Sequence, residues 1–143
     1  MKRFPSWQSY RQVATQTAAP GQLVVMLFEG AIRFLERALV GFSVDDPLEH
    51  NLTVNNNILR AQAIVNELNL SLDMPRGGEF SWNMRRLYDY LDRRLHESNR
   101  QKDASGIKEV ISRLTVLRDA WAQMLQNEAS NKVVASEPLS LRA

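Results

Sequence analysis

The sequence predicts an all-α fold: an antiparallel four-helix bundle with an N-terminal arm and a short, flexible C-terminal tail. Three observations carry this. The stretch Leu23–Phe42, LVVMLFEGAIRFLERALVGF, is apolar over more than half its girth. Three further stretches repeat apolar residues at helical spacing and are joined by short connections. No stretch alternates apolar and polar residues as a half-buried strand would.

The first helix is the one the others must cover. Wound at ~100° per residue, it gathers Leu23, Leu27, Gly30, Ala31, Phe34, Leu35, Ala38, Leu39 and Phe42 on one face, and Phe28 and Ile32 widen that arc to roughly 200°. Only Glu29, Arg33, Glu36 and Arg37 are left for water. A bilayer span needs ~20 mostly apolar residues, and this helix is too charged to be one. Pro20 suits its first turn, although Ala19 is a poor cap. Residues 1–19 hold Phe4, Trp7, Tyr10 and Val13 without a clean period and form the arm.

The second helix is predicted from Pro47 to about Leu72, started by Asp46, Pro47 and Glu49 as N-cap, N1 and N3. It has two stripes. Val54, Ile58, Ala61, Ile64, Val65, Leu68 and Leu72 suit a core; Leu48, Leu52, Leu59, Ala63 and Leu70 lie on nearly the opposite side. Asn55, Gln62, Asn66 and Asn69 run between them on one flank, with Asn56, Arg60, Glu67 and Ser71 on the other. The second stripe fits either a surface covered by the arm or an apolar groove for another chain's helix, with free amides beside it.

DMPRGG (Asp73–Gly78) breaks the chain before a third helix from about Glu79 to Arg100, with its stripe at Phe80, Met84, Leu87, Tyr88, Leu91 and Leu95. Asp103 caps a fourth helix, striped by Ile107, Val110, Ile111, Leu114, Leu117, Trp121 and Leu125 and ending near Asn127. The bundle domain is thus expected over residues 20–127, with a flexible tail over 128–143.

Composition narrows the function. With 18 basic and 16 acidic side chains the net charge is only +2, weak support for a nucleic-acid partner. Arg85, Arg86, Arg93 and Arg94 are interleaved with Asp89, Asp92 and Glu97, so a solvated face with i,i+4 pairs at Asp89 is expected. The chain has no cysteine and no Glu-x-x-His pair, and His50 and His96 fall off the stripes. Gly77-Gly78 is a helix breaker rather than a phosphate cradle. No nucleophile has a base beside it. We therefore expect no catalytic residues, metal or cofactor. The start MKRFPSWQSYRQ lacks the apolar run of a secretory signal, which makes the expected address cytoplasmic, without membrane insertion. Trp82 winds to the outer side of its helix near Arg86 and Arg93, either packing on the arm or tail or anchoring a partner.

Taken together, YRQV (Tyr10–Val13), TAAPGQLVVMLFEGAIRFL (Thr17–Leu35), NNILRAQAIVNELNLSLD (Asn56–Asp73), GGEFSWNMRRLYDYLDRRLHESNRQKD (Gly77–Asp103) and LRDAW (Leu117–Trp121) resemble the flagellar secretion chaperone family, FliS. Members often have Ser where Ala19 stands, an acidic residue at Ala63, and smaller residues at Phe80 and Trp82. The resemblance implies an antiparallel four-helix bundle without cofactor that binds the disordered C-terminal segment of flagellin. It would thereby prevent premature polymerisation and keep the cargo competent for type III export. It also implies cargo contact by the N-terminal tyrosine segment, here Tyr10 and Val13, with other flagellar regulators or export components as further partners. The expected partner-binding residues are Tyr10, Val13, Leu52, Asn55, Asn56, Leu59, Gln62, Ala63, Asn66, Leu70 and Trp82. The alternatives are a nucleic-acid-binding bundle using the third helix's arginines and a self-associating bundle with a seam on the second helix.

Overall fold

A computed structural model describes residues 20–136 of the chain, with side chains described from 21 to 131. Four helices follow one another: α1 (Pro20–Gly41), α2 (Pro47–Leu70), α3 (Met74–Gln101) and α4 (Ala104–Ser136). Among the described residues there is no strand.

Each helix packs on two neighbours in a closed ring: α1 on α2 and α4, and α3 on α2 and α4. Side-chain meetings show that successive helices run in opposite directions. Gly41 abuts Thr53 and Val54, while Arg60, further along α2, lies over Phe34, earlier in α1. On the next seam Asn55 meets Asn99, and Asn69 meets Asp89. The fold is thus the antiparallel four-helix bundle expected from the apolar periods.

The core is the set of stripes. Leu27, Phe28, Ala31, Ile32, Leu35 and Ala38 of α1 meet Val54, Ile58, Ala61, Ile64, Val65 and Leu68 of α2, and Met84, Tyr88, Leu91, Leu95, Ile107, Val110 and Leu114 complete it. Gly30 is buried among them. Burying a large aliphatic side chain contributes roughly 1.5–3 kcal/mol, and it is this burial, more than helix propensity, that holds the four helices together. His50 is half-buried, its ring edge-on to Phe42 at 5.3 Å between centroids.

The caps at α2 and α4 form as their residues dictate. Asp46 accepts hydrogen bonds from the backbone N–H groups of Leu48 at 2.8 Å and Glu49 at 3.1 Å. Asp103 accepts from the backbone N–H of Ser105 at 3.0 Å and from its hydroxyl at 2.8 Å, and these bonds hold its carboxyl below the usual range.

Three boundaries differ from the sequence-based expectation. First, a short helical turn from Met74 precedes the kink at Gly78 and the long helix that follows it: Asp73 caps that turn by accepting from the Arg76 N–H at 3.1 Å, and Pro75, lacking an N–H, costs nothing in a first turn. The break expected at DMPRGG falls at Gly78, at φ 53° and ψ −132°, where two helical pieces meet across a kink, so the long helix runs on from Glu79 as expected. Second, α2 stops at Leu70, with Ser71 as its C-cap. Third, α4 continues to Ser136 instead of ending near Asn127. Residues 128–136 include no Gly or Pro, and Glu, Ala and Lys favour helix even without an apolar stripe. The expected tail over 128–143 is therefore helical in its first part.

Phe80 is a further correction. Placed by period in the core, it is 56% exposed. The seam pairs Asn69, one residue before the end of α2, with Arg85 and Asp89. Phe80 therefore lies past the end of α2, where none of the described helices covers it.

Candidate partner-binding surface

On α2 the two stripes separate as expected. All the core-stripe residues from Val54 to Leu68 are buried, while Leu48 is 68%, Leu52 49%, Leu59 52% and Leu70 72% exposed. At ~100° per residue these four and Ala63 fall within a narrow row on the outward side. Ala63, Asn56 and Asn66 are also exposed. An isolated exposed leucine means little, but a row along a single helix is the kind of surface that partners cover.

The amides on the flank towards α3 are not free. Asn99 donates to Asn55 Oδ1 at 2.9 Å. Gln62 Nε2 donates to the Asp92 carboxylate at 3.1 Å and to its backbone carbonyl at 3.3 Å. Asn69 donates to Asp89 at 2.9 Å and accepts from Arg85 Nε at 3.2 Å. Asn55, Gln62 and Asn69 are spaced by heptads, and so are Asn99, Asp92 and Arg85 opposite them. The result is a ladder with antiparallel register along the α2–α3 seam. This corrects the expectation that these amides await a partner's polar groups, since the heptad spacing aims them at α3. It also replaces the expected ion pairs at Asp89, because Asn69 links that carboxylate to Arg85.

On the opposite flank, Arg37, Val40, Leu52, Thr53, Asn56, Asn57 and Arg60 line an open cleft of about 530 Å³ between α1 and α2. Phe34 holds two guanidinium groups against its ring, Arg37 with Cζ 5.4 Å and Arg60 with Cζ 5.7 Å from the centroid. Asn57 is only 7% exposed; its Nδ2 donates to the Thr53 carbonyl at 2.8 Å, and its Oδ1 has no partner. Sequence reasoning missed this cleft. Arg37 and Phe34 share a helix at i,i+3, but Arg60 comes from the next helix, and no period within one helix reveals that meeting.

Trp82 is 55% exposed, on the outer side of α3 as expected, and Arg86 donates to its backbone carbonyl at 3.4 Å and to Asn83 Oδ1 at 3.0 Å. Arg94 is not a solvated charge. It donates to Glu109 at 2.9 Å, Arg113 donates to the same carboxylate at 3.0 Å, and Tyr90 does so at 2.6 Å. Together the three donors, Tyr90 foremost, hold the Glu109 carboxyl down to about 2. Tyr10 and Val13 lie outside the described residues.

Among the described residues no group of three acidic, histidine or cysteine side chains is placed to hold a metal ion. No described helix is long and apolar enough to cross a membrane.

Comparison with known proteins bears on this surface. A family described as "Flagellar protein FliS" matches residues 4–128. The chain is 36% identical over 126 residues to the flagellar secretion chaperone FliS of Bacillus subtilis (strain 168), covering 88% of this chain and 90% of that protein. It is 36% identical over 121 residues to the protein of the same name from Salmonella typhimurium, covering 82% of this chain and 87% of the relative. It is 29% identical over 125 residues to the flagellar secretion chaperone FliSB of Pseudomonas aeruginosa, covering 85% and 96%.

Proposed function

The chain belongs to the FliS family of flagellar proteins, whose curated relatives are secretion chaperones, and on that premise we propose that it holds the C-terminal segment of flagellin on the outward face of α2. Held there, the segment cannot polymerise prematurely and stays unfolded enough for type III export from the cytoplasm. The observation that carries this reading is the exposed row Leu48, Leu52, Leu59 and Leu70, opposite a fully buried stripe on the same helix.

A disordered segment that becomes helical on this row would bury its own apolar face and the leucines together. Part of that gain is spent on ordering the segment, so binding is strong enough to protect it and weak enough to release it. Leu52, Asn56, Leu59, Ala63, Asn66 and Leu70 form the proposed contact, with Tyr10 and Val13 contributing from the N-terminal arm and Trp82 from α3. Asn55 and Gln62 support it from behind by fixing α2 on α3. Recognition of this kind consumes no nucleotide.

The test is a sedimentation series on the purified chain, with and without the flagellin C-terminal segment and with neither ATP nor metal added. A one-to-one complex is expected. Concentration-dependent self-association unaffected by the segment would show instead that the leucine row is a homodimer seam.

A further inference from the structure

The cleft between α1 and α2 poses an electrostatic question that apolar docking on α2 does not answer. Arg37 and Arg60 come from different helices to the same ring, Phe34, at 5.4 and 5.7 Å. A guanidinium that lies over a ring still has N–H donors to offer a partner. Neither arginine has an ion pair or hydrogen bond with any described residue. Other arginines at the helix seams do: Arg94 and Arg113 share Glu109, and Arg85 bonds Asn69. Two like charges gathered on one ring repel each other unless an anion joins them.

The rest of the cleft is shaped for a residue that carries such an anion. Val40, 65% exposed, and Leu52, 49% exposed, form an apolar wall continuous with the leucine row of α2. Asn56 lies in the lining with its side-chain amide exposed to the cleft. Water would satisfy the arginines alone; an acidic residue in a peptide would bring a carboxylate for the arginines, an N–H for an amide acceptor and an aliphatic neighbour for the wall. The chain's own N-terminal arm cannot do this. Residues 1–19 contain Lys2, Arg3 and Arg11 and no Asp or Glu. The arm can cover leucines but would add positive charge here.

We propose that this cleft is a carboxylate-reading subsite, in which Arg37 and Arg60 together take one Asp or Glu side chain of the segment docked on α2, fixing that segment's register. The inference rests on the reading of α2 as the docking face and adds to it a polar specificity element. A row of leucines accepts an amphipathic helix at several offsets, whereas a single paired charge accepts one.

The experiment measures affinity for the flagellin C-terminal segment by calorimetry, using the full chain and its Arg37→Gln, Arg60→Gln and Arg60→Lys variants. Both arginines are exposed, so circular dichroism should show all variants folded. Each glutamine variant is expected to bind about ten- to 150-fold more weakly, the range for losing a hydrogen bond to a charged group. Arg60→Lys should retain part of the affinity, since lysine keeps the charge but not the planar fork. Each acidic residue of the segment is then changed to its amide. One of these changes should make binding insensitive to Arg60→Gln, the non-additivity that marks a direct pair. Wild-type affinity in both glutamine variants, or additivity with every amide change, would overturn the subsite while leaving α2 as the docking face. If Glu137→Gln in this chain reproduces the arginine effect, the guest is the chain's own C-terminal segment and the proposal fails. If the segment does not bind the wild-type chain at all, the docking reading itself falls and the subsite with it.

Discussion

Glu109 accepts the phenolic proton of Tyr90 at 2.6 Å, and this bond across the α3–α4 seam is the shortest of three that converge on one carboxylate. The folded state keeps the Glu109 carboxyl at about 2, below its ordinary 4.5. A group depressed in this way stabilises the fold fully above its unfolded value, and the contribution is lost as pH falls from 4.5 towards about 2. Glu109→Gln should therefore be less stable than wild type near neutral pH, with the gap closing on acidification. Urea denaturation at intervals between neutral and about pH 3 checks this; a constant gap would mean that the seam does not depend on the ionised carboxylate.

Neighbouring positions on α2 should respond in opposite ways to the same substitution. Leu59 is 52% exposed and Ile58 is fully buried. Leu59→Asp is expected to weaken binding of the flagellin segment at least tenfold, ~1.4 kcal/mol, with little change in melting temperature. Ile58→Asp places a charge in the core and should unfold the bundle. An unfolded Leu59→Asp protein would show that the two faces of α2 are not separable.

At Gly106, α4 lies close against Ser98 of α3. A Cβ there would stand 2.8 Å from Ser98 Oγ and 2.9 Å from its Cβ. Ser98 is fully buried and donates its hydroxyl to the Asp103 carbonyl, so it has no room to yield. Alanine favours helix by ~1 kcal/mol over glycine, but overpacking costs roughly 1–3 kcal/mol. Gly106→Ala should therefore lower the melting temperature, and an increase would mean that α4 can shift away from α3 at little cost.

If Phe4 and Trp7 cover α2 leucines when no cargo is bound, opening that cover subtracts from cargo affinity. Deleting residues 1–8, which keeps Tyr10, should tighten binding or speed association and make the free chain more prone to aggregate. Hydrogen exchange over residues 4–13 gives a direct measure. Equal protection with and without cargo would exclude gating by the arm.

Where the sequence was informative and where it was not follows one physical line. Apolar period within a single helix marked nearly every core position from Leu27 to Leu114, because burial depends on which side of its own helix a residue occupies. It misplaced Phe80, since its exposure depends on where the neighbouring helix ends. It also left Asn55 and Gln62 as free amides, because their partners Asn99 and Asp92 come from a different helix. The α4 terminus was missed for a related reason: the helix continues beyond Asn127 with no apolar stripe to announce it. The Arg37–Phe34–Arg60 assembly spans two helices, and no motif in either contains it.

The amide ladder makes α2 and α3 a vernier with one legible setting. Slide α3 by one helical turn and Asn55 and Gln62 would face Leu95 and Tyr88, both buried in the native register. Each amide stranded that way would cost ~1–3 kcal/mol. A full-heptad slide would restore most rungs, but it moves the helix ~10.5 Å, further than the tight turn between Leu70 and Met74 allows without unravelling a helix end. The hairpin therefore keeps its outer face at a fixed height whatever lies upon it. One guest can replace another on the leucines while the scaffold beneath holds still.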